Sequence, residues 1–166
     1  MLSLIIPSYR NPKCLDLCLK SALEGQLNQN EIIVILDGFK EESNHLIEKY
    51  GDKVGFLMLN QNQGMPSALN YGVYQANFEV ISQIEPAEGL FNVTAKDFGT
   101  HPDDFDYEGF KKYEPTIRTE SLTPDGGVFP FAMFKKDYMI VGGFDTIYKS
   151  PFICDWDFFL KLELNG

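Results

Sequence analysis

Apolar positions along this chain follow two rhythms. Residues 2–6 (LSLII), 31–36 (EIIVIL) and 54–59 (VGFLML) are short, nearly unbroken apolar runs, the pattern of strands covered on both faces. Between them the apolar residues are spaced for helices. Cys14, Leu15, Cys18, Leu19, Ala22 and Leu23 form one stripe, opened by Asn11 as N-cap and Pro12 at the first helical position, and stopped near Gly25. A short second helix presents Leu46, Ile47 and Tyr50. A third, over about residues 66–76, turns Met65, Ala68, Leu69, Val73 and Ala76 to one side. Strands alternating with such helices predict βαβ units, whose right-handed crossovers place helices on both faces of a sheet. The expected fold is therefore α/β, with a mainly parallel, Rossmann-like sheet.

The second half reads differently. Residues 80–84 suit a strand, and residues 85–127, rich in Asp, Pro, Gly and Phe, read as a long loop. Residues 128–134 (VFPFAMF) suit a strand whose Pro130 marks an edge or a bulge. A short helix over 135–141, a GGFD turn and an amphipathic helix over 154–164 complete the pattern. With no linker and no repeat, the expectation is one domain over 1–166. Its composition changes near residue 80, separating a half over 1–80 from a half over 81–166.

Composition narrows the function. The chain has 14 Lys+Arg against 24 Asp+Glu, a formal charge of −10, which disfavours a general nucleic-acid or anionic-membrane binder. The longest apolar runs are about six residues, far below the roughly 20 that cross a bilayer, so no transmembrane segment is expected. The opening MLSLIIPSYR reads as a strand rather than a leader. Cys14 and Cys18 lie one helical turn apart and read as core, with Cys154 remote. No disulfide framework is expected, which points to a reducing, cytoplasmic setting. His45 reads as exposed.

Ligands of open parallel sheets bind at the carboxyl ends of the strands. Two such ends carry polar groups here, Pro7-Ser8-Tyr9 and Asp37-Gly38. Asp37 suits either acceptance from a base N–H or ribose hydroxyl, or a helix N-cap for the segment that follows. Neither a GxGxxG nor a GxxxxGK[ST] loop is present. His101, Asp103, Asp104 and Asp106 (HPDDFD) have an Asp-x-Asp spacing suited to Mg²⁺ or Mn²⁺, but no buried strand leads into them and they read as a solvated loop. The aromatics Phe105, Tyr107, Phe110 and Tyr113 suit either sugar recognition or covering the sheet. Asp125-Gly126-Gly127 suits a turn.

Taken in order, IIPSYRN, a strand ending LDGF, LNQNQGMPSALNYG, VGGFD and CDWDFFLKL resemble the family 2 glycosyltransferases of GT-A fold. The resemblance implies transfer of a sugar from a nucleoside-diphosphate donor, UDP- or GDP-linked, to a glycan or other hydroxyl acceptor with inversion. It places Pro7, Ser8, Tyr9, Asp37, Gly64 and Asn70 on the nucleotide sugar. It puts Gly143, Asp145, Trp156 and Asp157 on the acceptor side, and makes Asp155 the base, at the start of the last helix. Trp156 suits stacking on a sugar or, slightly better, packing beside Phe158 and Phe159. The family also implies a divalent metal, Mn²⁺ or Mg²⁺, whose ligands this sequence does not identify. Three departures stand out. No acidic pair follows the strand begun by Phe78-Glu79-Val80, as though a metal-binding strand and helix were missing between Val80 and Ile81. Leu69 replaces an arginine, and Cys154 replaces a glutamate. These leave a second reading, a module that binds a nucleotide sugar or glycan without turnover.

Overall fold

The computed structural model describes residues 1–25, 30–84, 103–117, 131–149 and 151–165. Five strands form one sheet: β1 (Leu2–Ser8), β2 (Glu31–Asp37), β3 (Gly55–Leu59), β4 (Val80–Gln83) and β5 (Phe131–Phe134). Their order is β3-β2-β1-β4-β5, with β5 alone antiparallel. The expected parallel α/β sheet is what forms. The order in which strands are added reverses at β1, with β2 and β3 on one side and β4 on the other, so the carboxyl ends of β1 and β4 border the crevice where such folds bind ligands. β4 runs unbroken through Val80 and Ile81.

Alternation along β1 sends side chains to two cores. Leu4 and Ile6 join Val34 and Leu36 beneath α1 (Pro12–Glu24) and α2 (Asn44–Tyr50), meeting Leu15, Leu19, Leu46 and Tyr50. Ile5, Ile33, Ile35 and Ile81 face the other way, against Ala68, Leu69 and Val73 of α3 (Met65–Gln75). Tyr138 of α5 (Lys135–Ile140), Phe144, and Cys154 and Phe158 of α6 (Pro151–Leu164) complete that second core. Each such side chain contributes about 1.5–3 kcal/mol on burial, so these two faces dominate the stability.

Gly72 lets α3 lie close to the sheet. A Cβ there would come within 2.5 Å of Ile35 Cδ1 and 2.6 Å of Ile5 Cγ2. Gly72→Val is expected to cost about 1–3 kcal/mol through overpacking, read as a lower urea midpoint. The other end of α3 is fastened by polar groups. Glu31 accepts from Ser3 Oγ at 2.5 Å and from the Asn77 amide N–H at 2.9 Å, while Lys135 Nζ donates to the Ala76 carbonyl at 2.7 Å.

Helix α1 starts and stops as the sequence predicts, with Pro12 in its first turn and Gly25 as C-cap. Two helices differ from expectation. α6 begins at Pro151 rather than Cys154, because proline suits the first helical position, where its missing N–H is not needed. α4 (Tyr107–Ile117) lies within the stretch read as loop. Asp106 Oδ1 caps it by accepting from the Gly109 amide N–H at 2.9 Å, and Phe105 packs on Phe110 at 5.6 Å between ring centroids. That is an N-cap with a hydrophobic staple, a short-range signal present in FDYEGF. The chain divides into two compact units, residues 1–86 with 128–166, and residues 87–127. No disulfide joins the three cysteines: Cys14 and Cys154 are buried, and burial pushes the Cys18 thiol up to about 12. His45 is exposed.

Candidate active site

At the end of β1, Pro7 and Ser8 are buried, and Ser8 Oγ donates to Asn11 Oδ1 at 2.6 Å. The chain then turns sharply. Arg10 has φ of 52° and Phe39, just beyond β2, has φ of 54°. Both sit in the left-handed region, which costs about 1–2 kcal/mol for a residue with a Cβ. The two turns bring three side chains together. The Arg10 guanidinium lies 3.7 Å above the Phe39 ring, and Tyr9 meets Phe39 edge-on at 5.6 Å. Tyr9, Arg10 and Phe39 are exposed. The sequence pointed to Tyr9 alone. The only local hint of the other two was their position directly before Asn-Pro and directly after Asp-Gly.

Asp37 faces inward and is 3% exposed. Its Oδ1 accepts from the Gln63 amide N–H at 2.7 Å and its Oδ2 from that of Gly64 at 2.9 Å. Of the two roles the sequence suggested, the helix cap is not formed: the 3₁₀ turn Lys40–Ser43 and α2 carry no side-chain cap bond. Asp37 instead shapes the loop between β3 and α3. That loop is tightly fitted. Gly38, at φ 78°, leaves no room for a Cβ, which would fall 2.9 Å from the Asn62 nitrogen. A Cβ on Gly64, at φ 90°, would lie 3.4 Å from the backbone of Lys149, two residues ahead of α6. Asp37→Asn would set an NH₂ donor against one of two backbone donors. It is expected to cost about 2 kcal/mol and to speed hydrogen exchange at Gln63 and Gly64.

Asn70 of α3 is also a fastening. Its Nδ2 donates to the Phe144 carbonyl at 2.8 Å, while its Oδ1 accepts from Tyr138 Oη at 2.6 Å and the Phe144 amide at 2.9 Å. Gly143, at φ 69°, is required by this knot, since a Cβ would lie 2.5 Å from Asn70 Oδ1. Asp145 is exposed and accepts from the Ile147 amide at 3.0 Å, a local turn. Nearby, the Gln83 side chain at the end of β4 is fully buried beside Tyr138.

The expected base, Asp155, lies in the second turn of α6 and not at its N-terminus. A helix dipole favours an ionised carboxylate in the first turn, and Asp155 lies beyond it. Burial instead pushes its carboxyl above the ordinary carboxylate value, with the Cys154 thiol, donating at 3.3 Å, pulling weakly the other way. Asp157 points elsewhere, pairing with Lys161 at 2.9 Å, and Lys161 Nζ reaches the Gly143 carbonyl at 3.5 Å. Trp156 does not pack. It is 75% exposed, on a stripe with Ile153, Leu160 and Leu164, because one helical face cannot hold both it and the buried Phe158.

A divalent ion does not fit the described residues, which hold no group of three or more His, Cys, Asp or Glu placed to ligate one. Asp103, Asp104 and Asp106 are exposed, and Asp106 serves as the cap of α4. His101, Asp125, Gly126 and Gly127 lie outside the described residues.

The fold is that of the GT-A glycosyltransferases. Residues 3–83 match the family model described as glycosyl transferase family 2. An uncharacterized glycosyltransferase of Rickettsia typhi is 35% identical over 82 residues, covering 49% of this chain and 26% of its own length. Another, from Haemophilus influenzae, is 26% identical over 184 aligned positions, covering 98% of this chain and 62% of its own. In three dimensions the chain is similar to the mannosyltransferase PcManGT from Pyrobaculum calidifontis in complex with GDP-Man and Mn²⁺. The TM-score is 0.67 at 14% identity, over 99% of this chain and 52% of that one. The chain thus spans only part of the proteins it matches. Among the described residues no helix is long and apolar enough to cross a membrane.

Proposed function

We propose that this chain carries the donor-binding and base-bearing parts of an inverting glycosyltransferase. The donor is a nucleoside-diphosphate sugar, UDP- or GDP-linked, and the acceptor a hydroxyl of a glycan or similar molecule. The observation that carries the reading is Asp155. It is a half-buried carboxylate on a rigid helix, with its proton affinity raised toward what a general base needs. Asp155 takes the proton of the acceptor hydroxyl as its oxygen attacks the anomeric carbon. The bond from that carbon to the diphosphate oxygen breaks, and the nucleoside diphosphate leaves. Residues 1–80 serve as the nucleotide half of one catalytic domain, with Pro7, Ser8 and Tyr9 lining the donor side. Asp37, Gly64 and Asn70 act there through the loops they hold. Residues 81–166 serve the acceptor, with Gly143, Asp145, Asp157 and the exposed Trp156 near it. Mn²⁺ or Mg²⁺ enters through the family resemblance alone, and no step is derived through it. A cytoplasmic setting goes with this reading.

Leu69 favours a second reading. It stands where the family pattern has arginine and is fully buried, so one cationic contact to the donor is replaced by core. A binding module without turnover would follow. Thermal unfolding separates the cases. UDP or GDP at 100 times its dissociation constant is expected to add about 2.7 kcal/mol. Donor turnover alongside this shift supports the enzyme, and a shift without turnover supports the module. No shift with any nucleoside diphosphate, with or without Mn²⁺, overturns both.

A further inference from the structure

We propose that Arg10 binds the diphosphate of the donor, as a fixed cation seated on Phe39. The inference rests on the sugar-transfer reading and adds a residue to it. Three observations converge on this side chain. The guanidinium carbon lies 3.7 Å from the centre of the Phe39 ring and 5.8 Å from that of Tyr9, which meets Phe39 edge-on. A guanidinium stacked in this way keeps its N–H edges free, and those edges match phosphate oxygens two at a time. Next, the seat is made at a cost. Arg10 and Phe39 both hold positive φ at the carboxyl ends of adjacent strands, and backbone strain of this kind persists where it positions a group for use. Finally, the charge is unmatched. In a chain of net charge −10, no carboxylate among the described residues pairs with Arg10, although it is exposed.

The surroundings favour an anion over other ligands. Arg10 directly precedes the N-cap of α1, whose first turn holds no acidic residue and begins with Pro12. The partial positive charge of that helix end adds to the guanidinium. Asp37, at the end of β2, faces inward with both oxygens occupied by backbone donors. The aromatic rings then have a defined job: they fix the guanidinium in one orientation, so little side-chain freedom is lost when it engages phosphate. The same cation opposes the charge that grows on the diphosphate as it leaves.

Isothermal titration with UDP, GDP and the matching nucleosides tests this. Arg10→Met keeps a stem to lie on Phe39 and removes the donors. It is expected to weaken diphosphate binding at least about tenfold while leaving uridine and guanosine within about twofold. Arg10→Lys, a charge without the fork, is expected to recover only part of the loss. The unchanged protein is expected to lose UDP or GDP affinity with added salt more steeply than Arg10→Met does. If Arg10→Met weakens nucleoside and diphosphate equally, the side chain reads the base and the proposal fails. Unchanged diphosphate affinity in Arg10→Met also overturns it. If the unchanged protein binds nucleosides but gains nothing from the diphosphate, Arg10 has no such role, whereas failure to bind any nucleoside diphosphate removes the sugar-transfer reading itself.

Discussion

Asp155→Asn is expected to lower kcat for sugar transfer by about 10²–10⁴ while leaving donor affinity within about twofold. The substitution keeps the shape of the side chain and its place in the second turn of α6 but removes its ability to take a proton. Among the described residues its hydrogen bond is the weak one from the Cys154 thiol at 3.3 Å, so little else depends on the charge. The pH dependence follows from the same environment. Burial disfavours the carboxylate, so the group keeps its proton to a higher pH than the ordinary value of 3.8. The active, ionised base appears as pH rises through this raised pKa, and the acid limb of kcat/KM should sit above the usual carboxylate position. Linkage gives the opposite sign for stability. A raised folded pKa means the folded state binds the proton more tightly, so its contribution is present at low pH and is lost as pH rises through the folded value. Rate profiles and pH-dependent unfolding on the same protein check both signs, and retained turnover in Asp155→Asn would remove Asp155 as the base.

Asn70→Ala is expected to be the most destabilising polar substitution, at about 3 kcal/mol and roughly 10 °C in Tm. The amide satisfies the buried Tyr138 hydroxyl and both backbone groups of Phe144, and an alanine leaves three polar atoms without these partners. Asn70→Asp isolates one part of the loss. It keeps the two acceptor contacts and removes the donor to the Phe144 carbonyl, replacing it with a repulsive oxygen. Scanning calorimetry on the two variants should rank both below the unchanged protein. A change under about 1 kcal/mol in Asn70→Ala would mean that water replaces the knot.

Much of the fold was legible because it rests on local periodicity. The runs at 2–6 and 31–36 and the stripe from Cys14 to Leu23 are short-range patterns, and each became the element expected. What escaped depends on distance or on competition. Asp37 is recognisable as a polar strand end, but its partners Gln63 and Gly64 lie 26 and 27 residues away and belong to a loop with no periodicity. The pairing of Arg10 with Phe39 depends on two adjacent parallel strands ending level, which only the register reveals. The apolar stripe alone puts the start of α6 at Cys154, whereas Pro151 already opens the helix. Those three residues take Asp155 out of the first turn of the helix. Trp156 was assigned by its aromatic neighbours, yet Phe158 is two positions on and faces the other way. The staple that opens α4 was readable in FDYEGF and was overlooked within a stretch dominated by turn-forming residues.

The position of β1 has a kinetic consequence. It is the earliest strand in the chain, yet one of its two neighbours, β4, joins it across about seventy intervening residues, with Leu2 aligned to Val80. Parallel pairing at such sequence separation forms late, after the loop entropy has been overcome. During synthesis the flank of β1 that will receive β4 stays open while β2 and β3 are already docked. Chaperone capture of nascent chains that end before residue 80 would be the cellular sign of that delay.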